Sequence, residues 1–202
     1  YSQALAVGDI DGDGKPDVVT AHLGGGNNPN YYNICLVRNT STGPGNISFA
    51  GNVPFYSGSY QSTGLSLGDF NGDGKKDLAV SHFGTVTSPD SPGEISILLG
   101  NSNSTFTTSN SFNAGIHPVS LVTGAFNRDK KKDLAISNFG SNNVSVFLGN
   151  DDGSFGIATN FKVGSKPFRL ATGDFDKDGV EDLVVPNFGS NTISILIGIG
   201  TG

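Results

Sequence analysis

Short stretches of the chain alternate apolar and polar residues, and the alternation recurs. Leu5-Ala6-Val7-Gly8 and Leu65-Ser66-Leu67-Gly68 open two units. Compact apolar runs follow at Val18–Ala21, Leu78–Val80, Leu134–Ile136 and Leu183–Val185. A second alternation comes next, as in Ile95-Ser96-Ile97, Val144-Ser145-Val146 and Ile193-Ser194-Ile195. A weaker run lies around Phe106–Phe112 and Phe155–Val163. Period-two patterning with β-branched residues, punctuated by Gly, Asn, Asp and Ser, predicts strands joined by turns. No stretch carries a convincing helical stripe.

Four segments align without gaps at their starts: Gly8–Leu23, Gly68–Phe83, Gly124–Phe139 and Gly173–Phe188. Their starts are 60, 56 and 49 residues apart. The units, at 1–60, 61–116, 117–165 and 166–202, fill the chain as a single domain. Four strands per repeated unit of about 50 residues predict an all-β fold, a β-propeller of four-stranded antiparallel blades. Solenoid coils are shorter, and a sandwich need not repeat its sequence. The last unit stops after its third strand, so the final blade is expected to be incomplete. A closed four-blade ring, a partial propeller and one completed by neighbouring copies all remain open at this point. An open blade edge templates pairing, so self-association is expected.

The chain holds 30 Gly and only 15% charged residues, a further argument against helices. With 12 basic and 18 acidic residues the net charge is −6, which disfavours nucleic acid and anionic membranes as partners. No apolar run approaches the ~20 residues of a membrane span. One cysteine excludes an internal disulfide framework and a Cys-based zinc site. With no initiator Met and no leader, the chain reads as a processed or excised segment.

The chemistry concentrates between the first and second strands, in the pattern D-x-[DN]-x-D-G-x-x-D. Unit one supplies Asp9, Asp11, Asp13 and Asp17; unit two Asp69, Asn71, Asp73 and Asp77; unit four Asp174, Asp176, Asp178 and Asp182. Hard oxygens at alternate positions of a tight loop suit Ca²⁺, which takes 6–8 of them, better than Mg²⁺. Gly14, Gly74 and Gly179 permit the sharp turn, and Lys15, Lys75 and Val180 are expected to offer backbone carbonyls. An EF-hand is rejected, because its bidentate Glu at position 12 is here Thr20, Val80 or Val185. Single Asp-Gly turns are common in hairpins. Three loops of one spacing, each self-repelling without a cation, argue for metal. These positions hold 11 of the 18 acidic residues, and three Ca²⁺ bring the formal charge to zero.

Unit three departs. Ala125, Arg128 and Lys130 replace the first Asp and two glycine positions, leaving Asn127, Asp129 and Asp133. No Ca²⁺ is expected there; Lys130 or Lys132 is expected to reach back to the two carboxylates instead. The count is therefore three Ca²⁺ per chain.

With Phe83-Gly84, Phe139-Gly140 and Phe188-Gly189, the acidic loops, and Leu99-Gly100-Asn101 and Leu148-Gly149-Asn150, the chain resembles the FG-GAP, or VCBS-type, repeat family along its whole length. That resemblance, integrin-alpha-like in its repeats, implies structural Ca²⁺ in the loops, propellers commonly of seven blades, and a secreted or cell-surface binding or adhesion module. A glycan or an extracellular protein is the ligand class it implies. A structural subunit of a filament or surface layer and a polysaccharide-active enzyme on a propeller scaffold are the alternatives. No Ser/His/Asp set, catalytic carboxylate pair or phosphate loop assembles outside the metal positions, so the chain reads as non-enzymatic.

Other residues carry weaker signals. The loop after Leu23, with Tyr31 and Tyr32 among Gly and Asn, has a composition suited to sugar or peptide contact. His22 and His82 occupy the positions of Asn138 and Asn187, and are expected to cap a turn as Asn would. His117 is expected to be structural, and Cys35 an unreactive, half-buried thiol.

Overall fold

In every unit a glycine that ends the first strand faces the aspartate that opens the second: Gly8 with Asp17, Gly68 with Asp77, Gly124 with Asp133 and Gly173 with Asp182. This shared register sets the rest of each sheet. The computed structural model describes residues 2–23, 33–55, 57, 61–84 and 90–200. The tyrosine-bearing loop at 24–32 lies outside the described residues.

Blade 1 runs β1 (Ser2–Gly8), β2 (Asp17–His22), β3 (Ile34–Val37) and β4 (Val53–Phe55). Blade 2 comprises β5 (Ser62–Gly68), β6 (Asp77–His82), β7 (Pro92–Asn101) and β8 (Thr105–Ile116). Blade 3 comprises β9 (Pro118–Gly124), β10 (Asp133–Asn138), β11 (Asn143–Phe147) and β12 (Thr159–Lys162). Blade 4 has three strands, β13 (Ala171–Gly173), β14 (Asp182–Asn187) and β15 (Thr192–Leu196). Each sheet is an antiparallel meander in chain order, and no helix occurs among the described residues. The molecule is a four-blade β-propeller with a three-stranded last blade, as the repeats lead one to expect.

The first strands gather at the axis. Residues of β1, β5 and β9 line one channel of about 670 Å³ together with Arg169 and Leu170. Arg169 donates to the Gln3 carbonyl at 3.2 Å. Between blades the period-two side chains interlock. Val19, Ile34 and Leu36 of blade 1 meet Leu65, Leu78 and Val80 of blade 2. Ala79, Ile95 and Ile97 of blade 2 meet Leu121, Leu134 and Ile136 of blade 3. Val144 and Val146 of blade 3 meet Leu170, Leu183 and Val185 of blade 4. In the middle blades β6 and β10 thus give alternate residues to the blade before and the blade after, which is the physical content of their alternation.

The rings of His22 and His82 do not cap a turn as expected; instead they bond hydroxyl groups of strand residues, Ser2 and Thr20 for His22, Ser62 and Ser96 for His82. His82 is fully buried, with Nδ1 3.3 Å from Ser62 Oγ and Nε2 3.0 Å from Ser96 Oγ. Asn138 and Asn187 donate to the equivalent serines, Ser145 and Ser194. His117 stacks flat on Phe83, centroids 4.2 Å apart. Cys35 is half-buried, and burial pushes its thiol up. Burial also pushes His82 down to about 4. An unfolded His takes up its proton near 6.5, so the stability held above that pH is lost as pH falls from about 6.5 to about 4. At 1.36 kcal/mol per unit this amounts to about 3 kcal/mol. His82→Asn, copying units three and four, should remove that component. Denaturant titrations of both proteins at neutral and acid pH check it, and parallel pH profiles would show His82 to be uninvolved.

Candidate metal centre

The loop joining β1 to β2 is wound by its own carboxylates. Asp9 accepts from the N–H groups of Gly12 and Asp13 through Oδ1 and of Gly14 through Oδ2, at 2.8–3.1 Å. Asp11 Oδ1 accepts from the Asp13 N–H, and Asp13 Oδ1 from the Lys15 N–H, two successive Asx turns. Unit four keeps both Asx turns and has Asp174 accepting from Asp178 through Oδ1 and from Gly179 through Oδ2; unit two keeps both turns, at Asn71 and Asp73, but Asp69 accepts only from Gly74, through Oδ2. Gly14, Gly74 and Gly179 sit at φ of +83°, +82° and +86°, the left-handed region that suits glycine. Lys130 takes the same place in unit three at +67°.

Folding brings together positions one, three and nine of the motif. Oxygens of Asp9, Asp11 and Asp17 lie within 4.8 Å of one another, as do those of Asp174, Asp176 and Asp182. Two acidic clusters therefore have the make-up of a cation site. In unit two the third residue is Asn71, and a different observation speaks. Asp69 Oδ1 is buried and has no hydrogen-bond partner. A desolvated carboxylate oxygen without a donor is costly, and a bound cation is a group that would satisfy it. The donors are all hard oxygens, so the residues fit Ca²⁺. Asp9, Asp11 and Asp17, then Asp69, Asn71 and Asp77, then Asp174, Asp176 and Asp182 would hold it. Its contribution there would be charge neutralisation across each loop.

Position five stands apart from these clusters. Asp13 Oδ2 is 2.8 Å from Lys15 Nζ, and Asp73 Oδ2 is 2.7 Å from Lys75 Nζ. The ammonium groups hold Asp13 and Asp73 below the usual carboxylate range, and are themselves raised. The lysines at position seven thus act through their side chains. In unit four position seven is the buried Val180, and the cation comes from the neighbouring blade. Arg128 Nη2 lies 3.2 Å from Asp178 Oδ2. This corrects the expectation for unit three. No ion pair among the described residues joins Lys130 or Lys132 to Asp129 or Asp133, and Arg128 is the basic residue that engages a carboxylate.

The reason lies in position nine, whose second role the motif does not reveal. Asp17, Asp77, Asp133 and Asp182 are all fully buried. Each accepts two backbone N–H groups, one in its own loop and one far along the chain. Asp17 holds Ile10 and Asn39, and Asp77 holds Phe70 and Gly100. Asp133 holds Phe126 and Gly149, and Asp182 holds Phe175 and Gly198. The distances run from 2.7 to 3.0 Å. The carboxylate ties the acidic loop to the end of the third strand, so in unit three both Asp133 oxygens are engaged by backbone N–H groups. Each oxygen has a second lone pair, so the clamp and a cation are compatible. Burial pushes Asp77 and Asp133 up.

Neighbouring blades close over the loops. Ser104 Oγ of blade 2 is 3.4 Å from Asp11 Oδ2, and the Gly153 N–H of blade 3 donates to the Phe70 carbonyl at 2.8 Å. Asp11 is half-buried, whereas its counterpart Asp176, in the last blade, is exposed.

With this geometry established, the chain matches the FG-GAP-like repeat over residues 9–80 and 126–185, more than half its length. It belongs to the FG-GAP repeat family. A comparison with curated proteins finds no match. Among solved structures it is similar in fold to BBS1N, described in complex with ARL6DN and soaked with lead. The TM-score is 0.58 at 15% identity, over 98% of this chain and 47% of that one. The chain thus spans about half the length of the structure it matches. Repeats of this family on a propeller define a binding or adhesion-type module.

Proposed function

We propose that the chain is a non-enzymatic, calcium-stabilised extracellular module that binds a protein or glycan. The observation that carries the calcium reading is the partnerless, buried Asp69 Oδ1 in a loop whose counterparts gather three carboxylates. Calcium at millimolar levels outside the cell matches the working range of extracellular modules. The metal loops occupy one end of the blades, which leaves the opposite loops to vary. Loops on a rigid scaffold are the usual carriers of binding. A protein ligand is consistent with BBS1N, the neighbour in fold, being seen with ARL6DN.

Calorimetric titration of the chelator-treated chain with Ca²⁺ tests the proposal. Three ions are expected, with none at Asp129 and Asp133. Retention of a ligand from protein and glycan arrays is expected in Ca²⁺ and should be lost in chelator. Absence of Ca²⁺ binding, or a fourth ion in unit three, would overturn the site assignment.

A further inference from the structure

Six Asx-Gly pairs occur in the chain: Asp11-Gly12, Asp13-Gly14, Asn71-Gly72, Asp73-Gly74, Asp152-Gly153 and Asp178-Gly179. In five of them the glycine N–H is held. Gly12 and Gly14 donate to Asp9, Gly74 to Asp69 and Gly179 to Asp174, at 2.8–3.0 Å. Gly153 donates to the Phe70 carbonyl at 2.8 Å. The Gly72 N–H has no hydrogen-bond partner among the described residues. One missing bond accounts for this. In unit one Asp9 Oδ1 accepts from Gly12, whereas the equivalent oxygen of unit two, Asp69 Oδ1, is buried without a donor. The unused oxygen and the unused N–H are the two halves of the bond that unit one makes.

The pair with the unheld glycine is also the chain's single Asn-Gly. At such a pair the backbone nitrogen can attack the amide carbon of the preceding side chain. The attack needs a nitrogen that is not engaged elsewhere, no side chain in the way of ring closure, and a polarised amide. Gly72 is exposed, has no Cβ and sits at φ +72°. Asn71 Oδ1 accepts from the Asp73 N–H at 3.1 Å. That donor polarises the amide carbon and stabilises the charge that grows on the oxygen during attack.

We propose that Asn71 is a site of spontaneous deamidation, and that the reaction adds to unit two a carboxylate at position three, where units one and four carry Asp11 and Asp176. The Gly72 nitrogen bonds to Asn71 Cγ and loses its proton, and the side-chain nitrogen leaves as ammonia. Water then opens the cyclic imide at either carbonyl. One opening gives aspartate and the other isoaspartate, in which the backbone runs through the former side chain. Each product carries one new negative charge. The aspartate form has the D-x-D-x-D-G-x-x-D make-up of unit one. The modification itself does not depend on the calcium reading of the loop; its effect on cation binding rests on that reading.

Peptide mapping by mass spectrometry tests it, on the full chain held in chelator at mildly alkaline pH and sampled over days to weeks. A gain of about 1 Da is expected in the peptide that carries Asn71, before any other asparagine peptide changes. Part of the product should be isoaspartate, detected by enzymatic methylation. Asn71→Gln should abolish the gain, because its longer side chain closes a six-membered ring far more slowly. Ca²⁺ at about ten times its Kd should slow the gain about tenfold, since only the ion-free loop reacts. Asn71→Asp should bind the unit-two ion about tenfold more tightly in calorimetry. A gain at Asn71 that Ca²⁺ leaves unslowed supports the modification and counts against the calcium reading of unit two. An unchanged Asn71 peptide, an earlier change at another asparagine, or a gain that persists in Asn71→Gln would overturn the proposal. Unchanged affinity in Asn71→Asp would overturn its second half.

Discussion

Excess chelator is expected to lower the melting temperature of the chain by about 20 °C. Binding to the native state stabilises by RT ln(1 + [L]/Kd), about 2.7 kcal/mol per site at a hundredfold excess over Kd. Three independent sites therefore contribute about 8 kcal/mol, and a chain of this size shifts by about 2–4 °C per kcal/mol. The direction follows from the loops themselves. Positions one, three and nine of units one and four crowd six carboxylates into two clusters, and unit two adds an oxygen with no donor. Without a dication these groups repel one another at short range. Scanning calorimetry in Ca²⁺, in chelator, and after return of Ca²⁺ or Mg²⁺ is the measurement. Ca²⁺ should restore the transition fully and Mg²⁺ only in part, because Mg²⁺ demands a stricter octahedron. An unchanged transition with metal removal confirmed would exclude a structural ion.

The strands were legible because each residue type announces its side of a blade. Ile95 and Ile97 alternate with Ser96, and the structure buries the isoleucines forward while the Ser96 hydroxyl hydrogen-bonds the His82 ring. The acidic loops were legible because the same residues recur at the same spacing three times. The clamp at position nine was not, since an aspartate there already has a reading as a metal ligand. Its second partner is an amide 16 to 23 residues onward, a distance only the folded sheet closes. One sign was available: Asp133 persists in unit three, where the first Asp and the turn glycine are gone. A residue kept when its supposed ion site has decayed has other work. The Arg128–Asp178 pair was equally invisible, because it links loops 50 residues apart on separate blades.

Replacing Asp133 by Ala lowers stability by about 3–5 kcal/mol, although the residue touches no metal set. The substitution strands the N–H groups of Phe126 and Gly149 in a fully buried site, and each unsatisfied donor costs about 1–3 kcal/mol. Asp133→Asn is not a rescue. Its amide has one accepting oxygen, so its NH₂ group is set against the second N–H. Asp129→Ala, at an exposed position two Asx turns away from the core, should stay within about 0.5 kcal/mol. Burial raises the Asp133 carboxyl, and the sign of the pH dependence follows. Its contribution is fullest below the ordinary carboxylate range and shrinks as pH rises through the folded-state value. Part of the clamp's strength at neutral pH is therefore spent on holding a desolvated charge. Denaturant midpoints for the three variants in saturating Ca²⁺ and in chelator check the argument. The Asp133→Ala loss should be the same in both conditions, because unit three is expected to hold no ion. A loss below about 1 kcal/mol, or one that disappears in chelator, would show that position nine serves the metal and not the fold.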